Sequence, residues 1–159
     1  MDTGARISLD RVYRYHLWRT WDDDAPRFVV IGLNPSTADE TVDDPTIRRC
    51  IGFARREGCG GLDMVNLFAF RATDPASMKA ASDPIGDAND AVIAAVITTR
   101  ASDRIVAAWG VHGAFLGRGA AVARTCPTLR CFGVTKDGHP KHPLYLSSST
   151  PLVPFPRIA

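Results

Sequence analysis

The sequence is poor in cysteine and has no long apolar run, and these two shortages exclude several classes of protein. Its four cysteines, at positions 50, 59, 126 and 131, form no Cys-x-x-Cys pair, and their spacings of 9 and 5 residues match no common zinc ribbon. We expect buried thiols, with no metal and no cofactor. The longest apolar runs, Phe28–Leu33 and Ala91–Ile97, are far shorter than the ~20 residues of a membrane helix. We therefore expect no membrane partner.

A marked excess of one charge and a targeting segment are also missing. The 19 basic and 17 acidic side chains leave a net charge of +2. This balance permits nucleic-acid binding without indicating it, because a basic footprint must be clustered to count. The first 20 residues contain no apolar core and no small-residue cleavage site of a secretory signal. A cytoplasmic location is the resulting expectation.

What the sequence does contain is enough chain for one domain, residues 1–159. Four apolar runs are typical of buried strands, and segments with helical spacing lie between them. These predicted strands cover residues 27–33, 62–70, 104–109 and 129–135. Strands that alternate with helices predict a parallel sheet covered by helices on both faces. The expected fold class is α/β, a three-layer α/β/α sandwich around a mostly parallel four-stranded sheet.

The flanks of this middle part have other patterns. Residues 1–26 contain an alternating strand, Tyr13–Trp18, and an Asp-rich turn. We expect this N-terminal strand to form a hairpin with residues 27–33. Prolines at 143, 151, 154 and 156 exclude regular structure, so residues 143–159 should lie extended against the body.

Two helices of the middle part have clear boundaries. An Asp-Asp-Pro segment at 43–45 predicts a capped helix start, and Gly58 predicts the end of that helix. A later helix is expected from about Gly113 to Arg124, after the third strand. Both would cover the sheet.

Polar side chains stand where the predicted strands end, which is where ligands bind in parallel sheets. Asn34 follows the first strand, and Pro35 holds it in an extended conformation. Asn66 lies inside the second apolar run, where an unpaired amide group costs about 1–3 kcal/mol. Trp109 ends the third strand, and the loop after the fourth contains His139 and His142, each followed by proline. Two amides, one or two imidazoles and aromatic walls suit the recognition of a heterocyclic base.

Each of these residues also has a purely structural interpretation. Asn34 before proline is compatible with a simple strand exit, and Asn66 with a core amide whose demands are met by backbone. Trp109 is compatible with packing beneath the sheet edge. The argument for a site depends on all of them meeting in one cleft.

Four of these segments together resemble the uracil-DNA glycosylase superfamily. Gly32-Leu33-Asn34-Pro35 is similar to its first motif, in the Gly-x-Asn-Pro form of the mismatch-specific and single-strand-selective branches. Val65-Asn66 resembles the strand asparagine that reads uracil, and Ala108-Trp109-Gly110 resembles the end of the next strand. His139-Pro140 and His142-Pro143-Leu144 both resemble the late loop with a catalytic histidine and a leucine wedge. The segments NPSTAD and GHPKHPLYL also resemble an uncharacterised bacterial single-domain family.

The resemblance implies a DNA glycosylase that turns one nucleotide out of the stack and needs no cofactor. Asn34 would hold the attacking water, and either His139 or His142 would stabilise the departing base. The implied base-binding residues are Gly32, Pro35, Ser36, Asn66, Phe68 and Trp109. The implied DNA contacts are Arg71, Lys136, Lys141 and Leu144.

The sequence departs from the family pattern in ways that bear on the substrate. Ser36 stands where the Gly-x-Asn-Pro branches usually have glycine and where the most uracil-selective branch has a tyrosine that excludes thymine. A small hydroxyl there would leave room at carbon 5 of a pyrimidine, so we expect that a modified or bulkier base can be the substrate. Lys141 is an extra residue between the two His-Pro pairs, which leaves the choice of histidine open. Phe53, Phe68 and Phe70 are alternatives for the phenylalanine that stacks on the base.

The sequence thus predicts an N-glycosidic hydrolase that acts on a uracil-like or modified base in single- or double-stranded DNA. Two other hypotheses fit the same residues. One is a hydrolase of a free nucleoside or nucleotide, and the other is a catalytically silent protein that binds nucleic acid or a nucleotide.

Overall fold

The computed structural model describes residues 1–100 and 104–156. Its seven-stranded sheet has the spatial order β1-β2-β4-β3-β5-β6-β7. The strands are β1 Asp2–Ile7, β2 Arg14–Thr20, β3 Arg27–Gly32, β4 Gly61–Asn66, β5 Ile105–Ala107, β6 Arg130–Cys131 and β7 Val153–Pro154. The helices are α1 Pro45–Arg56, α2 Pro75–Ala80, α3 Asn89–Arg100 and α4 Arg118–Ala123. The mixed α/β class predicted from the sequence is confirmed.

The sheet is larger than expected, and its strand directions are mixed. Parallel pairing joins β4 to β3, β3 to β5 and β5 to β6. The flanking pairs β1-β2, β2-β4 and β6-β7 are antiparallel. The prediction of four strands missed β1, because the segment Asp2–Ile7 is only partly buried and has little apolar patterning.

The expected N-terminal hairpin is wrong. Strand β2 pairs with β4 instead of β3, with Leu17 opposite Met64. Strand β3 lies deeper in the sheet, between β4 and β5, and its last five residues are all buried. A continuous apolar run needs cover on both faces and therefore takes a central position.

Helices cover both faces of the sheet through two separate apolar clusters. On β3, Phe28 and Val30 join the cluster that contains α1, while Val29 and Ile31 join the cluster that contains α3 and α4. This alternation follows the two-residue period of a strand. The apolar material therefore forms one core above the sheet and one below it.

Helix α1 begins and ends close to its predicted limits. The Asp44 carboxylate caps it by accepting a hydrogen bond from the Ile47 amide, with Pro45 in the first turn. The helix predicted over 113–124 is instead broken into a 3-10 segment, Val111–Gly117, and α4. The break lies at Leu116 and Gly117, where φ is positive, and lets the chain wrap around Trp109. A Cβ at Gly113 would lie only 2.0 Å from the Trp109 ring.

The segment after residue 143 is more ordered than its prolines suggest. It contains a 3-10 turn, Pro143–Tyr145, and the edge strand β7, which pairs with β6. An edge strand tolerates Pro154 because one side of it needs no ladder hydrogen bond. The prediction of an extended tail also covered 157–159, which lie outside the described residues. None of the helices in the described part of the chain is long and apolar enough to cross a membrane.

Candidate functional site

A cleft of about 840 Å³ opens beyond the carboxyl ends of β3, β4 and β5. The segments that follow these strands line it, together with the start of α1 and the loop around residue 142. Of the thirteen residues predicted for the site, the cleft brings together Gly32, Asn34, Pro35, Ser36, Asn66, Trp109, Lys141, His142 and Leu144. Residues far apart in the sequence thus share one concave surface.

The most informative residue in the cleft is Asn66, the last residue of β4. Its side chain is buried, with 1 % exposure, and neither Nδ2 nor Oδ1 has a hydrogen-bond partner. The interpretation as a core amide satisfied by backbone is therefore wrong. Each unpaired group costs about 1–3 kcal/mol in a folded protein unless something binds it. An amide that offers both a donor and an acceptor to a cleft fits a planar polar ligand.

Gly32 makes room for this amide. It pairs with Asn66 in the parallel register of β3 and β4. A Cβ at position 32 would lie 2.7 Å from Asn66 Oδ1 and 2.6 Å from Met64 Cε. The glycine therefore leaves the Asn66 side chain space at the floor of the cleft. From below, Asn89 Nδ2 donates to the Asn66 carbonyl at 2.9 Å and holds the strand end.

Asn34 has its donors and its acceptor in different environments. Its Nδ2 donates to the carbonyls of Pro35 at 3.1 Å and Ala72 at 3.0 Å. These bonds fix the rotamer, and among the described residues no donor is bonded to Oδ1 of this partly exposed side chain, which lines the cleft. An oxygen in this position can accept a hydrogen bond from a water molecule, but an amide cannot take the proton as a carboxylate can.

Two imidazoles line the cleft, His112 and His142. His112 is exposed, with its Nδ1 3.0 Å from Lys79 Nζ, and the more buried of the two is His142. Its Nδ1 accepts a hydrogen bond from the Leu144 amide at 3.2 Å, so in the neutral ring the proton resides on Nε2. Burial lowers the pKa of His142 below its ordinary value, although the nearby Asp44 carboxylate opposes this shift. The ring is thus neutral at pH 7 and is a donor through Nε2.

Three elements hold the loop that contains His142. The Pro140 carbonyl accepts from the Gly110 amide at 2.9 Å, just after β5. The Lys141 amide donates to the Gly133 carbonyl at 3.0 Å, just after β6. Arg49 Nε of α1 donates to the Pro143 carbonyl at 3.4 Å. The loop therefore has a fixed position relative to the sheet and to α1.

Four predicted site residues do not line the cleft: His139, Phe68, Arg71 and Lys136. His139 closes a turn with Thr135, whose amide donates to the His139 carbonyl at 2.7 Å. Phe68 has no exposed surface, because it belongs to the core on the α3 face. The Arg71 guanidinium donates to the carbonyls of Ser36, Thr37 and Arg11, so it supports the loop after β3. Lys136 is exposed in the turn before His139.

The three phenylalanines proposed to stack on the base do not line the cleft. Phe53 is buried against Phe132, with ring centroids 4.4 Å apart, and Phe70 stacks edge-on against Tyr13. Trp109 does line the cleft, although it is only 3 % exposed. Tyr145 lines it as well, is 85 % exposed, and lies 6.0 Å from the His142 ring.

Sequence reasoning missed several further lining residues, among them Tyr145, Arg14 and His112. Tyr145 directly follows the Pro143-Leu144 pair, so its position in the same loop was available as a signal. Arg14 lies in an N-terminal strand that was expected to pair elsewhere, and nothing in the local sequence indicates that it reaches the cleft. Asp44 is a lining carboxylate, and both of its oxygens accept backbone hydrogen bonds, from Ile47 and Ala38.

The cleft is suited to hydrogen bonding with a polar ligand. Within residues 1–100 and 104–156, no cluster of three His, Cys, Asp or Glu side chains is arranged to hold a metal ion. The four cysteines are buried, and burial raises the pKa of the Cys50 thiol to about 12, so this thiol is not nucleophilic at neutral pH. The polar groups of the cleft include an unpaired amide, a neutral imidazole, a guanidinium and a second amide with a fixed rotamer. This set can bind a planar heterocycle and stabilise negative charge on it.

Residues 14–144 match the model of a family described as a protein of unknown function (DUF1643). The search of the curated proteins finds no match to the chain. The search of the solved structures finds none either.

Proposed function

The chain belongs to the DUF1643 family, whose function is unknown, and we propose from its site that it is a DNA glycosylase. The substrate is a uracil-like or modified base that has been turned out of the DNA stack. The reaction is hydrolysis of the N-glycosidic bond between this base and its sugar. The observation that carries the proposal is the Asn66 amide, buried in the cleft with neither polar atom paired.

Asn66 reads the base edge. A uracil-like ring presents a carbonyl oxygen and an N–H group side by side, and these match the Nδ2 donor and Oδ1 acceptor of one amide. Base binding would satisfy both groups at once. A ligand without such an edge would leave them unpaired, which is the usual origin of strong selectivity in polar sites.

His142 stabilises the leaving group. As the glycosidic bond breaks, its electron pair moves onto the base, and the ring oxygens become negatively charged. The neutral His142 ring donates through Nε2–H to one of them, while its Nδ1 stays bonded to the Leu144 amide. A fixed donor toward developing charge is worth about 10²–10³-fold in rate.

Asn34 positions the water that completes the reaction. The water oxygen bonds to the sugar carbon that the base leaves, and its proton passes to solvent. Asn34 Oδ1 holds this water while the Nδ2 bonds to Pro35 and Ala72 keep the side chain still. Because an amide is a poor base, general-base help is small and we expect slow turnover.

The rim of the cleft supports contact with DNA. Lys141, Leu144 and Tyr145 line the cleft and are all exposed. The lysine suits a phosphate, and the two apolar groups suit the space that a flipped nucleotide leaves in the stack. Binding to oligonucleotides should therefore weaken as salt concentration rises.

The test is a panel of single- and double-stranded oligonucleotides that contain uracil, hypoxanthine, or oxidised and hypermodified pyrimidines. Formation of an abasic site is the readout. The two His-Pro histidines provide a matched pair of variants, since His142 lines the cleft and His139 does not. We expect His142→Ala to reduce the rate about 10²–10³-fold. His139→Ala should stay within a few-fold of the wild type.

Other outcomes would overturn the proposal in recognisable ways. Turnover of free nucleosides or nucleotides, with no abasic site in any oligonucleotide, would assign the cleft to a small-molecule hydrolase. Binding of oligonucleotides without any turnover, and with the same affinity trend across the variants, would indicate a silent binding protein. Equal loss in His139→Ala and His142→Ala would remove the role given to His142.

A further inference from the structure

Arg14 is a buried cation that lines the cleft. It is 2 % exposed, and its Nη1 donates to the Ala38 carbonyl at 3.1 Å. Its Nε has no hydrogen-bond partner, and no carboxylate of the described residues forms an ion pair with the guanidinium. A buried charge without a matched partner is costly, so this group is unusual in a folded protein.

An irregularity in β2 brings Arg14 to the cleft. Opposite β1, Arg6 pairs with His16 and Ile7 pairs with Arg14, so the register skips Tyr15. Such bulges redirect side chains. His16 is bonded to Asp63, away from the cleft, and Tyr15 packs in the core with α3. Arg14, by contrast, lines the cleft next to the start of α1.

The charged groups around Arg14 leave its Nε without a direct partner. The nearby Asp44 carboxylate favours the Arg14 cation through its charge, but its two oxygens accept from backbone amides and form no ion pair with the guanidinium. The two neighbouring cations have partners of their own, Arg19 in an ion pair with Asp43 and Arg71 on backbone carbonyls. Burial lowers the pKa of Arg14 to about 10, which still leaves it charged at neutral pH. The cleft therefore contains a charged guanidinium whose Nε is free to bind an incoming oxygen.

We propose that Arg14 binds an anionic oxygen group of the substrate, and that this group is a carboxylate carried on the base. This inference rests on the proposed glycosylase function and names the class of base. The unpaired Nε, with a neighbouring Nη, forms the planar fork that binds carboxylate or phosphate oxygens. The preferred substrate is a carboxylated pyrimidine.

The position of Arg14 favours the base as the carrier of the anion. Arg14 and Asn66 are both almost fully buried, so they belong to the deepest part of the cleft. Phosphates of a DNA strand stay at the rim, where Lys141 is exposed. Ser36 also lines the cleft and leaves more room for a ring substituent than a large side chain would. The terminal phosphate of a free nucleotide is the other source of the same chemistry.

The test compares two bases of the same size and different charge. Single-stranded oligonucleotides contain 5-carboxyuracil or the neutral 5-carbamoyluracil, and kcat/KM for base release is measured on both. We expect the wild type to prefer the carboxylate at least tenfold and Arg14→Gln to abolish this preference. The ratio within one variant does not depend on how much of that variant is folded. A wild-type enzyme that releases both bases equally overturns the inference, even if Arg14→Gln fails to fold.

Binding measurements separate this inference from the glycosylase proposal. Calorimetry with the free bases 5-carboxyuracil and 5-carbamoyluracil needs no turnover, so tighter binding of the carboxylate supports the role of Arg14 even if no oligonucleotide is cleaved. Cleavage of uracil with no preference for the carboxylate retains the glycosylase and overturns the inference. The wild type could instead bind uridine 5′-monophosphate more tightly than uridine, with this difference lost in Arg14→Gln. That result would show that Arg14 binds the phosphate of a nucleotide, and it would overturn the assignment of the anion to the base.

Discussion

Strand β4 contains two buried polar side chains with opposite environments. Asp63 has no exposed surface and accepts from His16 at 2.8 Å and Arg27 at 2.8 Å, with Arg100 at 3.2 Å. Asn66 is equally buried three residues later, and its amide has no partner. Both are polar residues in one apolar strand, yet the chain supplies partners for only one of them.

The difference separates a polar group that serves the fold from one to which we assign a role in the proposed function. The bonds to Asp63 tie β2, β3 and α3 to β4, so this carboxylate contributes to the fold. Asn66 ties nothing together through its side chain, and its unmet hydrogen bonds destabilise the unliganded protein. A protein retains such a cost where a ligand later satisfies it. Substitution of Asp63 should therefore mainly lower the stability of the protein, whereas substitution of Asn66 should mainly lower its activity.

The largest effect is expected for Asp63→Asn. The change removes the charge but keeps the shape, and Arg27 and Arg100, whose side chains are 15 % and 37 % exposed, lose a buried carboxylate partner. We expect the free energy of unfolding to fall by about 3–5 kcal/mol, measured by urea denaturation. The His16 and Arg27 hydrogen bonds outweigh burial and hold the pKa of Asp63 below its ordinary value. The stability that the ionised Asp63 carboxylate contributes is therefore fully present above pH 3.8 and is lost as pH falls through its lower folded-state pKa. The Asp63→Asn variant should lack this part of the acid dependence of unfolding.

A smaller effect, and in activity rather than stability, is expected for Asn66→Ala. Loss of the base-reading pair should lower kcat/KM about 5–150-fold, which corresponds to about 1–3 kcal/mol. The free energy of unfolding should not fall, because no hydrogen bond of the side chain is lost and two unpaired polar atoms are removed.

Asn89→Ala is the matched control for Asn66→Ala. Asn89 is also a buried asparagine, but its Nδ2 donates to the carbonyls of Asn66 at 2.9 Å and Leu67 at 3.0 Å. We expect this variant to lose about 1–3 kcal/mol of stability, chiefly for the lost bond to the Asn66 carbonyl, because Arg118 still donates to the Leu67 carbonyl. A large stability loss in Asn66→Ala as well would contradict the distinction between the two asparagines.

The smallest expected effect is a pH dependence of kcat/KM that comes from His142 in the cleft. Burial lowers the pKa of His142 below 6.5, so the neutral ring prevails above that pH and is lost as pH falls through the lower value. Protonation also removes the Nδ1 lone pair that accepts from Leu144. We expect the pH profile of kcat/KM to have an acid limb with its midpoint below 6.5, absent from His142→Ala. A midpoint above 6.5 would place the titration elsewhere.

The central fold and part of the site could be predicted from the sequence because their signals are local. The Asp44-Pro45 cap specified the start of α1, and unbroken apolar runs specified the buried strands. The strand-end residues Asn34, Asn66 and Trp109 were predicted to meet, and all three line the cleft. The meeting follows from topology, because strands that run in one direction end at one edge of the sheet.

The rest depends on contacts between distant parts of the chain. The partner of β2 is set by which strand needs cover on both faces, and this is a property of the whole sheet. The choice of His142 over His139 depends on how the loop docks on Gly110 and Arg49, which the two similar His-Pro pairs do not reveal. Arg14 reaches the cleft through a register shift against β1, a strand with almost no sequence signal.

The bulge that skips Tyr15 also has a consequence for the order of assembly. It places Arg14, from near the start of the chain, in the same cleft as the loop around His142, which is held through residues 133–143. A site assembled over so long a stretch of chain is slow to form. A partly folded or incompletely synthesised molecule therefore has no finished pocket, and exposure of a competent site coincides with completion of the fold.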